Sequence, residues 1–264
     1  MSNSNLENIS VTVMVKNGQQ YLKEVLHALA SFGEVIVYDT GSKDNSLNIA
    51  RTFQNVKIVQ APFAGFGPSH NMASAAAKNN WILSIDADEV VSTELIQAII
   101  NQRLDPRAVY SFSRNNYFNG KWIKWCGWYP DRQIRLYNRT MTRFSDAQVH
   151  ESIISEGMRH IFLDASVSHY SYASISDFLA KMQSYSSLFA EQYCGKESTS
   201  PLRASLHAFY TFLKCYIFQR GFMGGYEGFV ISAYNAHTTF YKYLKLYEAN
   251  KELEKVSKKD SKPH

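Results

Sequence analysis

The sequence predicts an α/β protein with a mainly parallel, Rossmann-like sheet, followed by a C-terminal helical extension. Strand-like and helix-like segments alternate four times before residue 91. This is the βαβ pattern of a parallel sheet with right-handed crossovers. The predicted strands are Ile9–Val15, Glu34–Tyr38, Val56–Gln60 and Trp81–Ile85. The helices predicted between them are Gln19–Phe32, Asn45–Phe53 and Ser69–Asn79.

The pattern changes after a further predicted helix at Thr93–Asn101. Three strands follow, separated by aromatic loops rather than by helices: Val109–Tyr117, Gln133–Tyr137 and Ile161–His169. Beyond Ser174 the spacing of apolar residues predicts helices near 174–193, 202–219 and 227–245. We therefore expect a main domain over 1–173 with halves at about 9–90 and 91–173, a helical extension at 174–250, and a flexible lysine-rich tail at 251–264.

Composition narrows the class of protein. Hydrophobic residues at 45% and charged residues at 19% predict a folded chain rather than a disordered one. The net charge of +5 fits an anionic ligand or a membrane surface. Nucleic acid is excluded as the expected partner because the basic residues are scattered rather than clustered in a stripe.

The three cysteines are far apart in the sequence and form no C-x-x-C pair. This favours a reducing, cytoplasmic setting and argues against zinc. The first nine residues are polar and predict no signal peptide. No apolar run reaches the roughly 18 residues that a membrane-spanning helix needs.

An acidic cluster follows the fourth predicted strand. Asp86, Asp88 and Glu89 come directly after the apolar run Trp81–Ile85. Open parallel sheets bind ligands at the carboxyl ends of their strands. Two carboxylates at that end can hold a divalent cation whose remaining sites are filled by phosphate oxygens. The alternative is an acidic turn before a helix that Ser92 caps.

Asp39 ends the second strand and is expected to point into the same crevice as Asp86. Its carboxylate can accept hydrogen bonds from a base N–H or from ribose hydroxyls. The alternative is a turn residue that caps the next helix. Ser42 is a candidate ligand contact in the loop that follows, although it also suits a turn, and Asp44 suits a cap.

The segment Gly65–Asn71 is a glycine-containing loop that opens a helix. Free N–H groups at a helix N-terminus suit phosphate binding. His70 and Asn71 are therefore candidate nucleotide contacts, while a structural histidine is the alternative for His70.

The segments Val13–Asn17, Val37–Asp44 and Leu83–Glu89 together resemble the N-terminal half of family 2 inverting glycosyltransferases, which have the GT-A fold. The resemblance implies a UDP-sugar donor and a Mg²⁺ or Mn²⁺ ion that bridges Asp88, with Asp86, to the diphosphate. It also implies that Asp39 contacts the uracil or ribose, with Lys16 and Asn17 in the same donor site.

The second half resembles bacterial lipopolysaccharide inner-core β-1,4-glucosyltransferases. The resemblance lies in Trp128–Tyr137, Val149–Glu151, Ser168–Tyr170 and Gly221–Phe229. It implies transfer of a hexose, glucose from UDP-glucose, to a lipid-linked core oligosaccharide. The expected location is the cytoplasmic face of the inner membrane, as a peripheral protein.

Inverting transfer needs one base that deprotonates the acceptor hydroxyl. Glu151 is the candidate base, and Asp131 and Glu89 are the competitors. His169, at the end of an apolar strand, is either a third metal ligand or diphosphate contact, or a structural histidine. Arg132 and Arg135 face opposite ways on a strand, so that one of them, Arg135, can clamp a phosphate.

Two aromatic groups remain. The first is expected to form an acceptor platform or to pack in the core: Tyr117, Phe118, Trp122, Trp125, Trp128 and Tyr129. The second fits either a helix at an anionic membrane surface or a helix packed on the core: Phe209, Tyr210, Phe212, Leu213, Tyr216, Ile217 and Phe218, with Arg203, Lys214 and Arg220.

Two other functions are consistent with such a fold. The chain could bind a nucleotide sugar without chemistry, as a scaffold or regulator; the presence of Glu151 and His169 beside Asp-x-Asp argues against this. A nucleotidyltransferase would open with a glycine-rich, basic loop after the first strand, and 16–19 lacks one.

Overall fold

The computed structural model describes residues 4–146 and 151–260. Four parallel strands form one half of its sheet in the spatial order β3-β2-β1-β4: β1 (Ile9–Val15), β2 (Glu34–Asp39), β3 (Val56–Gln60) and β4 (Trp81–Asp86). Strands β1, β2 and β4 are apolar and buried through most of their length, as expected for parallel strands covered on both faces.

The other strands make the sheet mixed. They are β5 (Glu89–Val91), β6 (Ala108–Phe118), β7 (Lys121–Trp122), β8 (Arg132–Asn138) and β9 (Arg159–Tyr172). Strand β8 pairs antiparallel with β4 and β6, and β5 pairs antiparallel with β9. The order continues from β4 as β8-β6-β9-β5, while β7 pairs with the end of β6.

The chain divides into two compact units. The first comprises the chain up to Asn115 together with Pro130–Tyr170. Its helices are α1 (Ser4–Glu7), α2 (Leu22–Ala28), α3 (Ser46–Ala50), α4 (Phe66–Ala75) and α5 (Thr93–Asn101). Ser92 caps α5 by accepting a hydrogen bond from the backbone N–H of Leu95 at 3.1 Å, as the sequence allows.

The pleat of β1 divides the core of the first unit between the two faces of the sheet. Val11, Val13 and Val15 point to the face that α2 and α5 cover. Ile36 and Ile82 point to the opposite face, where they pack with Ala77 just beyond α4. The same alternation of side chains determines on which face of the sheet the residues at the strand ends lie.

The second unit comprises 116–129 and the chain from Ser171 onward. It contains α6 (Ile175–Tyr193), α7 (Pro201–Leu213), a π-helical turn (Lys214–Phe218), a 3₁₀ turn (Gly221–Gly224) and α8 (Gly225–Asp260). Both α6 and α7 pack on α8. Gly228 has no room for a side chain, because a Cβ there would lie 1.8 Å from the carbonyl oxygen of Gly221.

Several predicted helix limits are wrong. The helix predicted for 202–219 ends at Leu213 and continues as the π-helical turn, whose backbone hydrogen bonds join residues i and i+5 instead of i and i+4. The helix predicted to end at Lys245 runs to Asp260, so 251–260, part of the predicted tail, is helical. Lysine and glutamate are good helix formers. None of the described helices has the length and apolarity that crossing a membrane requires.

Candidate active site

The carboxyl ends of β1, β2 and β4 meet at one edge of the sheet. Asp39 pairs with Val15 of β1, and Asp86 pairs with Met14. Strands are about 4.8 Å apart, so the two acidic residues start roughly 10 Å from each other across β1. Because Met14 and Val15 alternate in the pleat, the two side chains start from opposite faces of the sheet. A ligand that touched both would lie across the sheet edge, not within a crevice on one face.

Asp39 is buried and organises the loop that follows it. Its carboxylate accepts hydrogen bonds from the backbone N–H groups of Gly41 at 3.3 Å and Ser42 at 3.1 Å. The side-chain amide of Gln60 donates to the same carboxylate at 3.4 Å. The carboxylate is thus fixed at the strand end, in the turn role that the sequence left open beside nucleoside recognition.

The loops after β1 and β2 are joined by reciprocal hydrogen bonds. The Asn17 N–H donates to Ser42 Oγ at 2.8 Å, and the Lys43 N–H donates to Asn17 Oδ1 at 2.8 Å. The Gln19 N–H donates to Asp44 at 3.0 Å. Asn17 and Ser42 therefore hold the two loops together, while Lys16 beside them is exposed.

Gly18 brings the loop after β1 against the acidic motif. A Cβ at Gly18 would lie 3.2 Å from the Cβ of Ala87, between Asp86 and Asp88. Contacts through Asn17 and Gly18 thus link the loop of Asp39 to the acidic turn. A larger residue at Gly18 would have to push these two loops apart.

Asp88 and His169 form a partly exposed pair of ionisable side chains at the site. His169 Nε2 lies 3.6 Å from Asp88 Oδ1, and 37% of the Asp88 side chain is exposed against 12% of His169. A backbone hydrogen bond fixes the turn that contains Asp88, because the Tyr170 N–H donates to the carbonyl of Asp88 at 3.0 Å. Tyr170 in turn stacks on Tyr21, which precedes α2, with ring centroids 4.8 Å apart.

Asp86, Glu89 and Arg135 form a cluster on the other side of the turn. Arg135 donates to Asp86 Oδ2 at 2.7 Å and lies 3.4 Å from Glu89 Oε1. The backbone N–H of Asp86 donates to Glu89 Oε2 at 3.0 Å. Arg135 is buried, whereas Arg132 on the same strand is exposed and lies over the ring of Phe162. Arg135 is therefore the inward arginine of the predicted pair.

Charge and burial set the ionisation of this cluster. Burial by itself would raise the pKa of Asp86, but the charge of Arg135, and that of His70 once its ring is protonated, lower it to about 2. Burial raises the pKa of Glu89, with the charge of Asp86 acting in the same direction and Arg135 opposing it. Glu89 is completely buried, which removes it as a base that an acceptor could reach.

Glu151 lies close enough to Arg135 for its charge to help raise the pKa of that guanidinium, against the lowering effect of burial. It is half-buried. Asp131 is more heavily engaged, because it accepts from Arg114 Nε at 2.7 Å and from the Gln133 amide at 2.6 Å. Val149 and His150, which carry part of the resemblance, lie outside the described residues.

His70 is buried and neutral. Its ring stacks on Phe144 with centroids 4.4 Å apart, and Nδ1 lies 3.3 Å from Ser84 Oγ. Burial lowers the pKa of His70 to about 4, and Asp86 opposes this effect while Arg135 adds to it. The ring accordingly belongs to the packing beneath the site, which is the structural alternative that the sequence left open.

Asn71 uses both ends of its side-chain amide on one residue. It donates to the Phe144 carbonyl at 3.0 Å and accepts from the Phe144 N–H at 2.9 Å. Asn71 thus anchors the backbone at Phe144. Sequence reasoning missed Phe144 and Arg114 as partners of site residues. Only the alternating pattern of β6 hinted at an inward Arg114, and nothing local marked Phe144.

The aromatic residues at 117–129 divide between the two expected roles. In the second unit, Phe118 is buried, and Trp125 and Trp128 pack against its cluster. Trp122 and Tyr129 instead form an edge-to-face pair with centroids 5.6 Å apart. Tyr129 is 45% exposed. These two rings remain candidates for a sugar-stacking surface.

A Rossmann-like half-sheet with polar loops at the carboxyl ends of its strands is typical of α/β proteins that bind their ligands at that edge. The chain belongs to glycosyltransferase family 2, because the model of that family, described as Glycosyl transferase family 2, matches residues 10–166. It is therefore a glycosyltransferase, and the predicted GT-A fold class is confirmed.

Relatives extend over nearly the whole chain. An uncharacterized glycosyltransferase of Rickettsia typhi is 27% identical, over 97% of this chain and 92% of its own length. One of Rickettsia prowazekii is 26% identical over the same shares. Among solved structures, Staphylococcus aureus TarS 1-349 in complex with UDP-GlcNAc is similar, with 17% identity, a TM-score of 0.44, and coverage of 97% of this chain and 93% of that chain.

Proposed function

We propose that this glycosyltransferase moves a hexose, glucose from UDP-glucose, with inversion onto a lipid-linked lipopolysaccharide or lipooligosaccharide core at the inner membrane. The observation that carries the donor part is the open pair of Asp88 and His169, 3.6 Å apart at the edge where the β1, β2 and β4 loops are joined. Family membership supports a nucleotide-sugar donor, and the acceptor and the sugar rest on the sequence resemblance.

The residues fit a divalent cation that is shared with a diphosphate. Among the described residues no three His, Cys, Asp or Glu side chains are grouped to hold a metal ion alone. Cations of the Mg²⁺ type commonly use one or two protein carboxylates and complete their shell with substrate phosphates. Asp88 and His169 would hold Mg²⁺ or Mn²⁺, with Asp86 next to them. The cation would supply Lewis-acid help to the departing diphosphate.

The chain's own groups supply the other requirements. The oxygen of the acceptor hydroxyl attacks the anomeric carbon of the sugar while the bond from that carbon to the diphosphate breaks. Glu151 accepts the proton of the hydroxyl in this step. Asp39 and the loop it orders contact the uracil or ribose, with Lys16 and Asn17 on the facing loop. Arg135 orients Asp86 and places its positive charge near the acidic turn.

A donor panel tests the proposal. UDP-glucose, UDP-galactose, UDP-GlcNAc and GDP-mannose, each with Mn²⁺, are compared by the rise in melting temperature, because a ligand that binds only the folded state stabilises it. We expect UDP-glucose to give the largest rise and to yield UDP and a glucosylated product with a core oligosaccharide acceptor. A larger rise with another sugar would contradict the glucose assignment, and binding without any UDP release would favour the scaffold alternative.

A further inference from the structure

Helix α7 and the π-helical turn that follows it expose an apolar surface, which we call the aromatic face. It consists of Leu202, Leu206, Phe209, Tyr210, Ile217 and Phe218, each between 50% and 75% exposed. The spacing of three and four residues along α7 places the first four on one side of the helix. Ala204 and Cys215 are buried instead, in the side of the helical segment turned inward. The helix is therefore apolar on two sides, of which the structure covers one.

The aromatic face continues into the 3₁₀ turn after α7 and into the first turn of α8. Phe222, Met223 and Tyr226 are 54%, 52% and 58% exposed. In contrast, Phe212 and Tyr216 stack on each other with centroids 5.3 Å apart and pack edge-on against Phe229. Phe229 is itself 51% exposed, so this region carries exposed rings beside packed ones. Large exposed apolar patches of this kind mark interaction surfaces.

The charged side chains of 198–226, the segment that carries the aromatic face, all have one sign. Arg203, Lys214 and Arg220 are exposed, and the sequence has no aspartate or glutamate between Glu197 and Glu227. A two-fold contact between copies of the chain would bring these cations against each other without a compensating acid, which disfavours a second copy as the occupant. An anionic surface satisfies both the charge and the apolar rings.

We infer that the aromatic face is a docking surface for an anionic lipid bilayer. Its Phe, Tyr and Leu side chains enter the boundary between headgroups and acyl chains, and Arg203, Lys214 and Arg220 contact lipid phosphates. This deepens the proposed function by naming the surface that meets the membrane carrying the acceptor. It does not depend on which sugar is transferred.

The test is co-sedimentation of the full chain with vesicles of phosphatidylcholine alone or of equal parts phosphatidylcholine and phosphatidylglycerol, at low salt. The wild-type chain should bind the anionic vesicles and bind the neutral ones far more weakly. The double variant Phe209→Ser, Phe218→Ser should lower the partition coefficient at least ~30-fold, because two large apolar side chains no longer enter the bilayer. Lys214→Gln with Arg220→Asn should lower it roughly 30-fold, about 1 kcal/mol for each lost cation.

The matched control changes two similarly exposed apolar residues outside the aromatic face, Met141→Ser and Leu179→Ser, which are 51% and 54% exposed. It should bind anionic vesicles as the wild-type chain does. Equal binding by wild type and the Phe209, Phe218 variant would overturn the inference. So would a wild-type dimer that this variant converts to a monomer without any vesicle binding. The readout contains neither donor nor acceptor, so its failure leaves the sugar-transfer proposal standing.

Discussion

The burial of His70 leads to a prediction about stability and pH. The ring is 2% exposed, lies against Phe144 and Ser84, and is near the charges of Asp86 and Arg135. Its pKa in the folded chain is about 4, below the ordinary value of 6.5. The fold therefore favours the neutral ring. Its contribution to stability is complete above about pH 6.5 and is lost progressively as the pH falls toward 4.

The magnitude follows from the difference between the two pKa values. Integrated from pH 7.5, the loss is about 2 kcal/mol by pH 5 and about 3 kcal/mol by pH 4. Glu89 acts in the opposite direction, since a raised pKa in the fold makes its protonation favour the folded state as the pH falls. Subtracting the free energy of unfolding of a His70 variant from that of the wild-type chain removes the contribution of Glu89, which both chains share.

The assay is urea unfolding of wild type and His70→Gln at pH 7.5, 6, 5 and 4. The free-energy difference between the two should shrink by about 2 kcal/mol between pH 7.5 and pH 5. His160→Gln, at an exposed position of β9, is the matched control and should follow the wild type at every pH. Parallel curves for wild type and His70→Gln would refute the reasoning. They would mean that the ring ionises as easily in the fold as in the unfolded chain.

Three further substitutions distinguish chemistry from packing. Glu151→Gln should lower kcat by roughly 10²- to 10⁴-fold while the donor still raises the melting temperature; unchanged kcat would remove Glu151 as the base. Asp131→Asn should lower the free energy of unfolding in urea by about 1–3 kcal/mol, because Arg114 loses a charged partner. A loss of kcat as large as that expected for Glu151→Gln, with intact stability, would make Asp131 the base instead. Arg135→Met should cost about 3–5 kcal/mol in the same assay, because it removes the cation of Asp86 and leaves buried Glu89 with Arg114 alone, at 3.5 Å. Adding Glu89→Gln should recover part of this loss; no recovery would contradict the coupling.

The sheet could be predicted because its strands carry their own signal. Continuous apolar runs such as Trp81–Ile85, each followed by a polar loop, fix both the strand and its carboxyl end. Three of the later strands were also found, since Gln133–Tyr137, for example, lies inside β8, whereas the short strands β5 and β7 were not predicted. Helix limits were less accessible, because the π-helical turn after α7 depends on packing and leaves no local signature.

The sequence proposes candidate positions for the site, but it does not say which of their side chains contact each other. Asp88 with His169 and Asp86 with Arg135 come from strands far apart in sequence, so their pairing requires the fold. The opposite faces of Asp39 and Asp86 follow from a register that differs by one residue across β1. The sequence of one strand alone does not predict its register with a neighbouring strand.

The central claim is that Asp88 holds a cation shared with the donor diphosphate. The most direct measurement is the affinity for UDP by titration calorimetry, with and without Mn²⁺, in wild type, Asp88→Asn and the exposed control Asp164→Asn. We expect Mn²⁺ to tighten UDP binding at least ~10-fold in wild type and in the control. It should have no effect on UDP binding in Asp88→Asn. An Asp88→Asn chain that still bound UDP more tightly with Mn²⁺, to the same degree as the control, would contradict it.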